Sequence, residues 1–209
     1  MDFKTETIQR NDTEIFLLTY EDFDPAHYFE KLTSIEIERY RTFKNIKRKR
    51  EFVATRILRH ENLGFEHIHY DSNGAPYIKD EGFISISHSA NTVGLAINKN
   101  HSVGLDLEFP RKNILKIKSK FLSELEMELF DCMNEDVVTQ LWSAKEALYK
   151  LAGRKEILFI EELLISKTLD GAIKGTIINP DHELYVKLDI FEFNGMFITI
   201  NTEAVERSK

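Results

Sequence analysis

The nine residues W-S-A-K-E-A-L-Y-K at positions 142–150 constrain the fold of this chain more than any other segment. At about 100° per residue they form a two-faced helix. One face is apolar and must pack on a core; it carries Ala144, Ala147, Leu148 and Leu151. The other side carries one carboxylate, two ammonium groups and two aromatic rings: Trp142, Lys145, Glu146, Tyr149 and Lys150. This side is either a solvated face with a Glu146–Lys150 pair at i,i+4 or a surface that holds a metal beside a phosphorylated ligand.

A second informative segment lies upstream, where residues 103–108 alternate apolar and non-apolar side chains. This alternation is the period of a β-strand. Asp106 and Glu108 therefore point to the same face, and Gly104 leaves that face open beside them. Two carboxylates on one side of a strand suit Mg²⁺, which takes oxygen ligands, although a solvated strand face is the alternative. Glu146 from the helix could complete a three-carboxylate cluster.

Size and composition narrow the class of protein. The chain has 209 residues, of which 42% are hydrophobic and 30% charged, enough for one large domain or two small ones. The single cysteine, Cys132, excludes an internal disulfide framework and a multi-cysteine zinc site. The N-terminal residues have no apolar signal-peptide core, and no apolar run is long enough to span a membrane. We therefore expect a cytoplasmic protein.

Residues 39–59, called the basic run below, are strongly basic. They include nine Lys or Arg residues and one acid, Glu51, a net charge of +8 on a chain whose total is −7. Apolar residues at helical spacing make this an amphipathic helical region with a basic exposed side. A run of charge is most often only a solvated face. The contrast with the acidic remainder nevertheless indicates a negatively charged partner, and phosphate is the simplest one.

The order of elements predicts the fold class. Helices are expected over 25–59, interrupted near Thr33–Ser34, over 123–132 behind a capping box, and over 134–151. Strands are expected over 14–20, 83–87, 92–97, 103–108, 162–166, 173–178, 183–191 and 196–201. The elements mix without regular βαβ alternation, which predicts an α+β fold. Each half carries helices and several strands, so we expect two similar halves, residues 1–100 and 101–209, packed as one body with a cleft between them.

Four segments resemble the motifs of 4′-phosphopantetheinyl transferases. Residues 104–108 (GLDLE) resemble the G-(I/V/L)-D-(I/L/V)-E motif, and residues 142–150 match W-x-x-K-E-A-x-x-K at every fixed position. Residues 84–89 (ISISHS) are similar to (N/S)-(I/L)-S-H-S, and residues 121–126 (FLSELE) to F-x-S-x-x-E. Length and motif order resemble the single-chain Sfp type. This resemblance implies a pseudodimer of two α+β halves with the active site at their interface.

The resemblance also implies a reaction. Such enzymes move the phosphopantetheine arm of coenzyme A onto a serine of an apo acyl or peptidyl carrier protein and release adenosine 3′,5′-bisphosphate. Carried over to matching positions, the Mg²⁺ (or Mn²⁺) ligands are Asp106, Glu108 and Glu146. Glu146 is also the expected general base, and Lys150 stabilises charge on the phosphates or the departing group. Fatty-acid, polyketide and nonribosomal-peptide carriers are all possible partners, and a single-chain pseudodimer is expected to act as a monomer.

The coenzyme A contacts implied by the resemblance come from both halves. Lys145 and Lys150 are expected to contact phosphate, and Ser87 and His88 to bind coenzyme A phosphates. The 3′-phosphate is expected on the basic run, at Lys47 and Arg50 first, with Lys44, Arg48 and Arg56 as the next candidates. Gly74, Ala75 and Pro76 stand where the family often has G-K-P. The turn backbone can still contact adenine, but the lysine charge is gone.

Three other hypotheses remain at this point. A non-catalytic nucleic-acid-binding module could use residues 39–59, but no aromatic platform or known motif accompanies the basic run, so neither nucleic acid nor a membrane is the expected partner. A metal-dependent phosphohydrolase could use the same three carboxylates. A degenerate transferase could bind coenzyme A without turnover. Trp142 is expected to be a packing residue.

Overall fold

The computed structural model describes residues 3–169 and 171–208 and has two compact units, which divide between Lys99 and Asn100. Each unit combines an antiparallel six-stranded sheet with one helix of 18 residues. This mixture of helix and strand confirms the α+β class, and the two sheets make the units similar.

The first unit is built on an antiparallel sheet with the order β1-β2-β6-β5-β4-β3. Its strands are Phe3–Arg10 (β1), Thr13–Tyr20 (β2), His69–Tyr70 (β3), Pro76–Tyr77 (β4), Phe83–Ser89 (β5) and Thr92–Asn98 (β6). A 3-10 segment, Pro25–Lys31, precedes the helices Ser34–Thr42 (α1) and Ile46–Leu63 (α2). Helix α2 packs on β2 and β6 through buried apolar side chains: Val53, Ala54, Ile57 and Leu58.

Part of the basic run is internal to this unit. Arg56 and Arg59 are 2% and 0% exposed, and both donate to the Glu36 carboxylate of α1, at 3.2 and 2.8 Å. Arg56 also donates to the Tyr70 hydroxyl at 3.1 Å. These charges hold α1 against α2, since a buried guanidinium requires a buried carboxylate. Arg56 is therefore not available to the 3′-phosphate, and the basic surface is smaller than the sequence suggests.

The second unit has the sheet order β7-β11-β10-β9-β8, with β12 paired to β10. Its strands are Asp106–Glu108 (β7), Leu163–Lys167 (β8), Ile173–Ile178 (β9), Glu183–Phe193 (β10), Met196–Asn201 (β11) and Glu206–Arg207 (β12). Its helices are Ile114–Ile117 (α3), Glu124–Leu129 (α4) and Glu135–Ala152 (α5), with a 3-10 turn at Lys118–Lys120. In the part of the chain that the structure describes, no helix is both long and apolar enough to cross a membrane.

Helix α5 lies close against the sheet of the second unit. It begins at Asn134, whose side chain caps the first turn, and ends before Gly153, which has a left-handed φ of +62°. A Cβ on Gly104 would overlap the Ala147 carbonyl and come within 2.7 Å of Leu151 Cγ. The sequence suggested that Gly104 leaves an open face beside Asp106 and Glu108. In the structure this space is filled by α5. Gly104 allows the helix to approach the chain that leads into β7.

A buried ion pair fixes α5 in place. Lys145 is 0% exposed, and its ammonium donates to the Glu126 carboxylate at 2.8 Å, to the Phe159 carbonyl at 2.9 Å and to the Leu163 carbonyl. Burial lowers the pKa of Lys145, and the bond to Glu126 opposes that shift. The pair ties α5 to α4 and to the start of β8.

Glu126 serves two other segments at the same time. It completes the capping box of α4 by accepting from the Ser123 N–H at 2.8 Å, as the sequence predicts. Its other oxygen accepts from the Ile165 N–H at 2.7 Å. One buried carboxylate thus organises the start of α4, the strand β8 and the middle of α5.

Differences from the expected elements have local causes. β1 was not expected, and it is an edge strand whose exposed side chains alternate weakly. Only residues 106–108 of the expected strand 103–108 join the sheet, because the Gly104 N–H donates to the side chain of Asn201 on β11 instead of to a backbone carbonyl. The expected helix over 25–59 is divided into a 3-10 segment and two α-helices. Thr33 and Asn45 cap α1 and α2, and each cap starts a new helix.

Lys145→Met should lower the free energy of unfolding by about 3–5 kcal/mol, because it leaves the Glu126 carboxylate buried without its cation. Urea denaturation followed by circular dichroism measures this change. Lys120→Met, at an exposed position, is the matched control and should stay within about 0.5 kcal/mol of the wild type. A Lys145→Met protein as stable as that control would contradict the role given to the pair.

Candidate active site

One row of residues on α5 faces the two carboxylates of β7. Trp142, Glu146 and Lys150 are spaced four apart, so they share one side of the helix. Trp142 Nε1 donates to Glu108 at 2.7 Å, and Lys150 Nζ donates to Asp106 at 3.0 Å. The helix therefore runs antiparallel to the strand, and Glu146 lies between the two contacts.

Asp106 and Lys150 form the inner end of this row. Asp106 is 5% exposed and sits opposite Thr199 of β11 in the sheet. The Lys150 ammonium donates to Asp106 Oδ1 at 3.0 Å and to the Leu105 carbonyl at 2.6 Å. The lysine side chain is still 25% exposed. Its charge is thus anchored at the first residue of β7 and remains accessible from solvent.

Glu108 and Trp142 form the outer end. The indole packs edge-on against Phe121 at 4.9 Å and stacks with Phe159 at 5.7 Å, measured between ring centroids. The Arg111 guanidinium lies 3.6 Å from the Glu108 oxygen that accepts from Trp142. Burial raises the pKa of Glu108, while Arg111 and the indole N–H lower it. Trp142 is the packing residue that the sequence predicts, and it also orients a carboxylate.

Glu146 is the most perturbed carboxyl of the row. Burial raises its pKa to about 7, and the negative charges of Asp106 and Glu108 add to the rise. Lys150 and Arg111 oppose it with positive charge. A carboxyl group with a pKa near 7 gains and loses a proton at neutral pH, which is the property that a general base requires.

The three carboxylates fit a divalent cation by their chemistry. Among residues 3–169 and 171–208, no three His, Cys, Asp or Glu side chains already stand as a set that could hold a metal ion. Asp106 and Glu108 direct oxygens at Lys150 and Trp142. All three groups nevertheless offer hard oxygen donors. Burial raises the pKa values of Glu108 and Glu146, and repulsion from the neighbouring carboxylates adds to the rise. A cation such as Mg²⁺ relieves that repulsion.

Lys145, which the resemblance assigns to a phosphate, points into the interior of the second unit. Its ammonium is enclosed by Glu126 and two backbone carbonyls, and its side chain is 0% exposed. Although Lys145 and Glu146 are neighbours in the chain, they are about 100° apart on the helix. The motif therefore places one structural residue beside one residue of the site.

A second cluster of predicted residues lies within the first unit, where α2 passes β5. Arg48 donates to His88 Nε2 at 3.0 Å and to Glu51 at 3.4 Å. The other Glu51 oxygen lies 3.6 Å from His88 Nδ1 and 3.9 Å from the Lys47 ammonium. Glu51 is 6% exposed, whereas its three partners have exposed side chains. Positive groups therefore face outward from a buried carboxylate.

Arg50 does not join this cluster. Its Nε donates to the Phe23 carbonyl at 3.0 Å and its Nη1 donates to Asp22 at 2.6 Å. The guanidinium thus holds the segment that follows β2, so the prediction of Arg50 as a leading 3′-phosphate contact is not supported. Arg48, named from the sequence only as a further candidate, is the arginine at His88.

Ser87 and His88 are neighbours on β5, and their side chains leave opposite faces of the strand because β side chains alternate. The His88 side chain meets α2, and Ser87 is 6% exposed. The two side chains therefore do not converge on one phosphate group within this unit.

The turn at Gly74, Ala75 and Pro76 forms without the usual lysine. Asp71 accepts from the Ala75 N–H at 2.8 Å, and Gly74 has a φ of +92°. An Asx-type bond together with a glycine at positive φ is sufficient for the turn.

Sequence reasoning did not identify Arg111 or Glu51 as residues of interest. Arg111 follows Glu108 by three positions and faces it across 3.6 Å. Glu51 was recognised only as the single acid of the basic run. An isolated acid in a basic segment is a usable signal, because a buried carboxylate there organises its cationic neighbours.

Comparison with known proteins finds a similarity over the residues of this site. Residues 102–200, which include the whole row on α5 and β7, match the model of the 4′-phosphopantetheinyl transferase superfamily. The chain is 30% identical over 156 residues to 4′-phosphopantetheinyl transferase HetI of Nostoc sp. (strain PCC 7120). That alignment covers 66% of this chain and 65% of the relative, slightly less than two thirds of the relative's length. Over these residues the chain is similar to the 4′-phosphopantetheinyl transferase superfamily.

Proposed function

We propose that this protein transfers the 4′-phosphopantetheine moiety of coenzyme A to a serine of an apo acyl or peptidyl carrier protein and releases adenosine 3′,5′-bisphosphate. The observation that carries the proposal is the row of Trp142, Glu146 and Lys150 along Asp106 and Glu108. This row lies within the residues that match the superfamily model. The name of the HetI relative supports the same reaction.

Glu146 is the proposed general base. In the reaction, a bond forms between the serine oxygen and the phosphorus of the pantetheine phosphate, and the bond from that phosphorus to the adenosine bisphosphate breaks. A serine hydroxyl is a weak nucleophile until a base takes its proton. With a pKa of about 7, Glu146 is ionised in a large fraction of molecules at neutral pH and can accept that proton.

Lys150 is the proposed cation for the phosphates. Its ammonium is held at Asp106 and Leu105, yet the side chain remains partly exposed. A fixed positive charge stabilises negative charge that develops on the departing phosphate more than a mobile one does, since it needs no reorganisation. Arg111, beside Glu108, adds a second positive charge to the same row.

Asp106, Glu108 and Glu146 are the residues that would hold Mg²⁺ or Mn²⁺. When bound, such a cation supplies positive charge that offsets the negative charge of the pyrophosphate at the reacting phosphorus. Lys150 would stay anchored by the Leu105 carbonyl, so its ammonium would remain beside the carboxylates and available to phosphate.

The first unit is proposed to hold coenzyme A. Lys47, Arg48 and His88 supply exposed donors for phosphate, and the turn at 74–76 supplies backbone groups for adenine. We propose that a monomer is sufficient for the reaction.

The reaction is tested by intact-protein mass spectrometry of apo carrier proteins incubated with this protein, coenzyme A and Mg²⁺. The expected result is a mass gain of one phosphopantetheine on the carrier, abolished by EDTA. Carriers of fatty-acid, polyketide and nonribosomal-peptide systems are compared in parallel. Coenzyme A cleavage without any carrier would indicate a phosphohydrolase, and binding without turnover on any of the three carriers would indicate a degenerate enzyme.

Asp106→Asn should reduce transfer by about a thousandfold, because the loss of one anionic ligand removes several kcal/mol of transition-state stabilisation by the metal. The thermal unfolding midpoint should change little, since the amide can replace the carboxylate as an acceptor for Lys150. Asp80→Asn, at an exposed position, is the matched control. Wild-type transfer by Asp106→Asn would exclude Asp106 as a ligand.

Mg²⁺ binding in the absence of coenzyme A should strengthen as the pH rises through about 7, because the metal binds the ionised form of Glu146. The apparent dissociation constant should be about tenfold larger at pH 6 than at pH 8. Isothermal titration calorimetry measures this difference. Glu146→Gln should bind more weakly and lose the pH dependence; a wild-type protein with equal affinity at both pH values would contradict the proposed role of Glu146.

The raised pKa of Glu146 also makes the stability of the fold depend on pH. The pKa of Glu146 is raised from its ordinary value of 4.5 to about 7 in the folded, metal-free protein. The folded state therefore binds more protons than the unfolded state between these values, and the contribution of Glu146 to stability falls as the pH rises through this window. In thermal unfolding, Glu146→Gln should lose less stability than the wild type between pH 5 and pH 8.

A further inference from the structure

We propose that Glu51 is a positioning residue that couples phosphate binding at Arg48 and His88 to the uptake of one proton by His88. The inference rests on the proposed function, because it takes the Arg48–His88 pair as part of the coenzyme A site. It gives a role to the single acid of the basic run.

The first step concerns the place of Glu51. Its carboxylate lies within 3.4 Å of Arg48, 3.6 Å of His88 and 3.9 Å of Lys47. The glutamate is 6% exposed, and the side chains of these partners are 49%, 41% and 63% exposed, respectively. A buried carboxylate needs cationic or donor partners. Glu51 therefore holds three outward-facing groups in one place.

The second step concerns the proton on His88. A guanidinium can only donate, so His88 Nε2 is the acceptor in the 3.0 Å bond from Arg48. The imidazole is then neutral, with its proton on Nδ1, the nitrogen that faces Glu51 at 3.6 Å. In this state Arg48 and His88 satisfy each other, and His88 offers no N–H on its Nε2 side.

The third step concerns what a phosphate changes. A dianionic phosphate attracts the Arg48 donor, and Nε2 can then take a proton from solvent and donate an N–H to a phosphate oxygen. The imidazolium so formed directs its Nδ1–H at Glu51, whose negative charge stabilises it. The pyrophosphate oxygens of coenzyme A carry one charge per phosphorus, whereas the 3′-phosphate is a monoester and a dianion above its second pKa of about 6. The larger charge therefore favours the 3′-phosphate.

Other charged groups near Glu51 do not replace His88 in this role. Arg50, the preceding residue of α2, is bonded to Asp22 and Phe23. Burial, with the charge of Glu51 as the next cause, raises the pKa of Tyr20 on β2 to about 12, so the phenol stays neutral at working pH. His88 is the group of this cluster whose ordinary pKa lies near neutrality.

The test counts protons. Coenzyme A and dephospho-coenzyme A, which lacks the 3′-phosphate, are titrated into the full chain at pH 8 in two buffers of different ionisation enthalpy. We expect uptake of about one proton with coenzyme A and almost none with dephospho-coenzyme A. Glu51→Gln keeps an oxygen that can accept from Nδ1 and removes the charge. It should abolish the uptake and weaken coenzyme A binding about tenfold, with dephospho-coenzyme A binding unchanged. Glu61→Gln, exposed on the same helix, is the matched control.

The sign of the effect separates this proposal from simple repulsion. If Glu51 acted only as a negative charge near an anion, its removal would strengthen coenzyme A binding. Tighter binding, an unchanged proton count, or equal weakening for both ligands would each overturn the proposal. The last of these is the result expected of a residue that only supports the fold.

Failure of the proposed function gives a different result from failure of the role proposed for Glu51. If the wild-type protein neither binds coenzyme A nor modifies a carrier, the proposed function is overturned and this inference with it. If the wild type does both and Glu51→Gln matches Glu61→Gln in proton count and affinity, only the role of Glu51 is overturned.

Discussion

The close approach of α5 to the start of β7 is the constraint on which the candidate site depends. Gly104 permits it, since a Cβ there would meet the backbone of Ala147. At this separation the side chains of Trp142 and Lys150 reach Glu108 and Asp106 directly. Glu146 is thereby buried near two other carboxylates, and burial together with their negative charge raises its pKa to about 7. A wider gap would admit water, return the carboxyl groups to ordinary acidity and remove the need for a cation.

Both units use buried carboxylates as organisers, with different results. Glu126 in the second unit receives Lys145 and backbone N–H groups, so every partner is internal and the outcome is rigidity. Glu51 in the first unit contacts side chains that remain exposed, such as Arg48 and His88, so it holds these groups in place at the surface. The two cases differ because the partners of Glu51 reach solvent and can bind a ligand, whereas Lys145 does not reach solvent.

The α+β class, most strands and the grouping of Asp106, Glu108, Glu146 and Lys150 were accessible from the sequence, because periodicity and helical spacing are local properties. The sequence did not show which charged side chains are buried and which are exposed. Lys145 and Lys150 are both lysines of one motif, yet the first is enclosed and the second partly exposed. Arg48 and Arg50 differ in their partners, since Arg48 donates to His88 and Arg50 to Asp22. Which direction a long side chain takes depends on tertiary partners distant in the chain, and no local pattern encodes it.

The several bonds of Glu126 have a further consequence for the dynamics of the second unit. Its two oxygens connect Ser123, Lys145 and Ile165, which belong to three separate segments of the chain. None of these segments can open without leaving a buried charge short of a partner. The free energy of opening α4, β8 or the middle of α5 alone is therefore nearly as large as that of opening all three. Together they behave as one cooperative unit, in which amide hydrogens exchange with solvent through a shared opening event. Helix α5 would therefore stay ordered as long as this unit is closed.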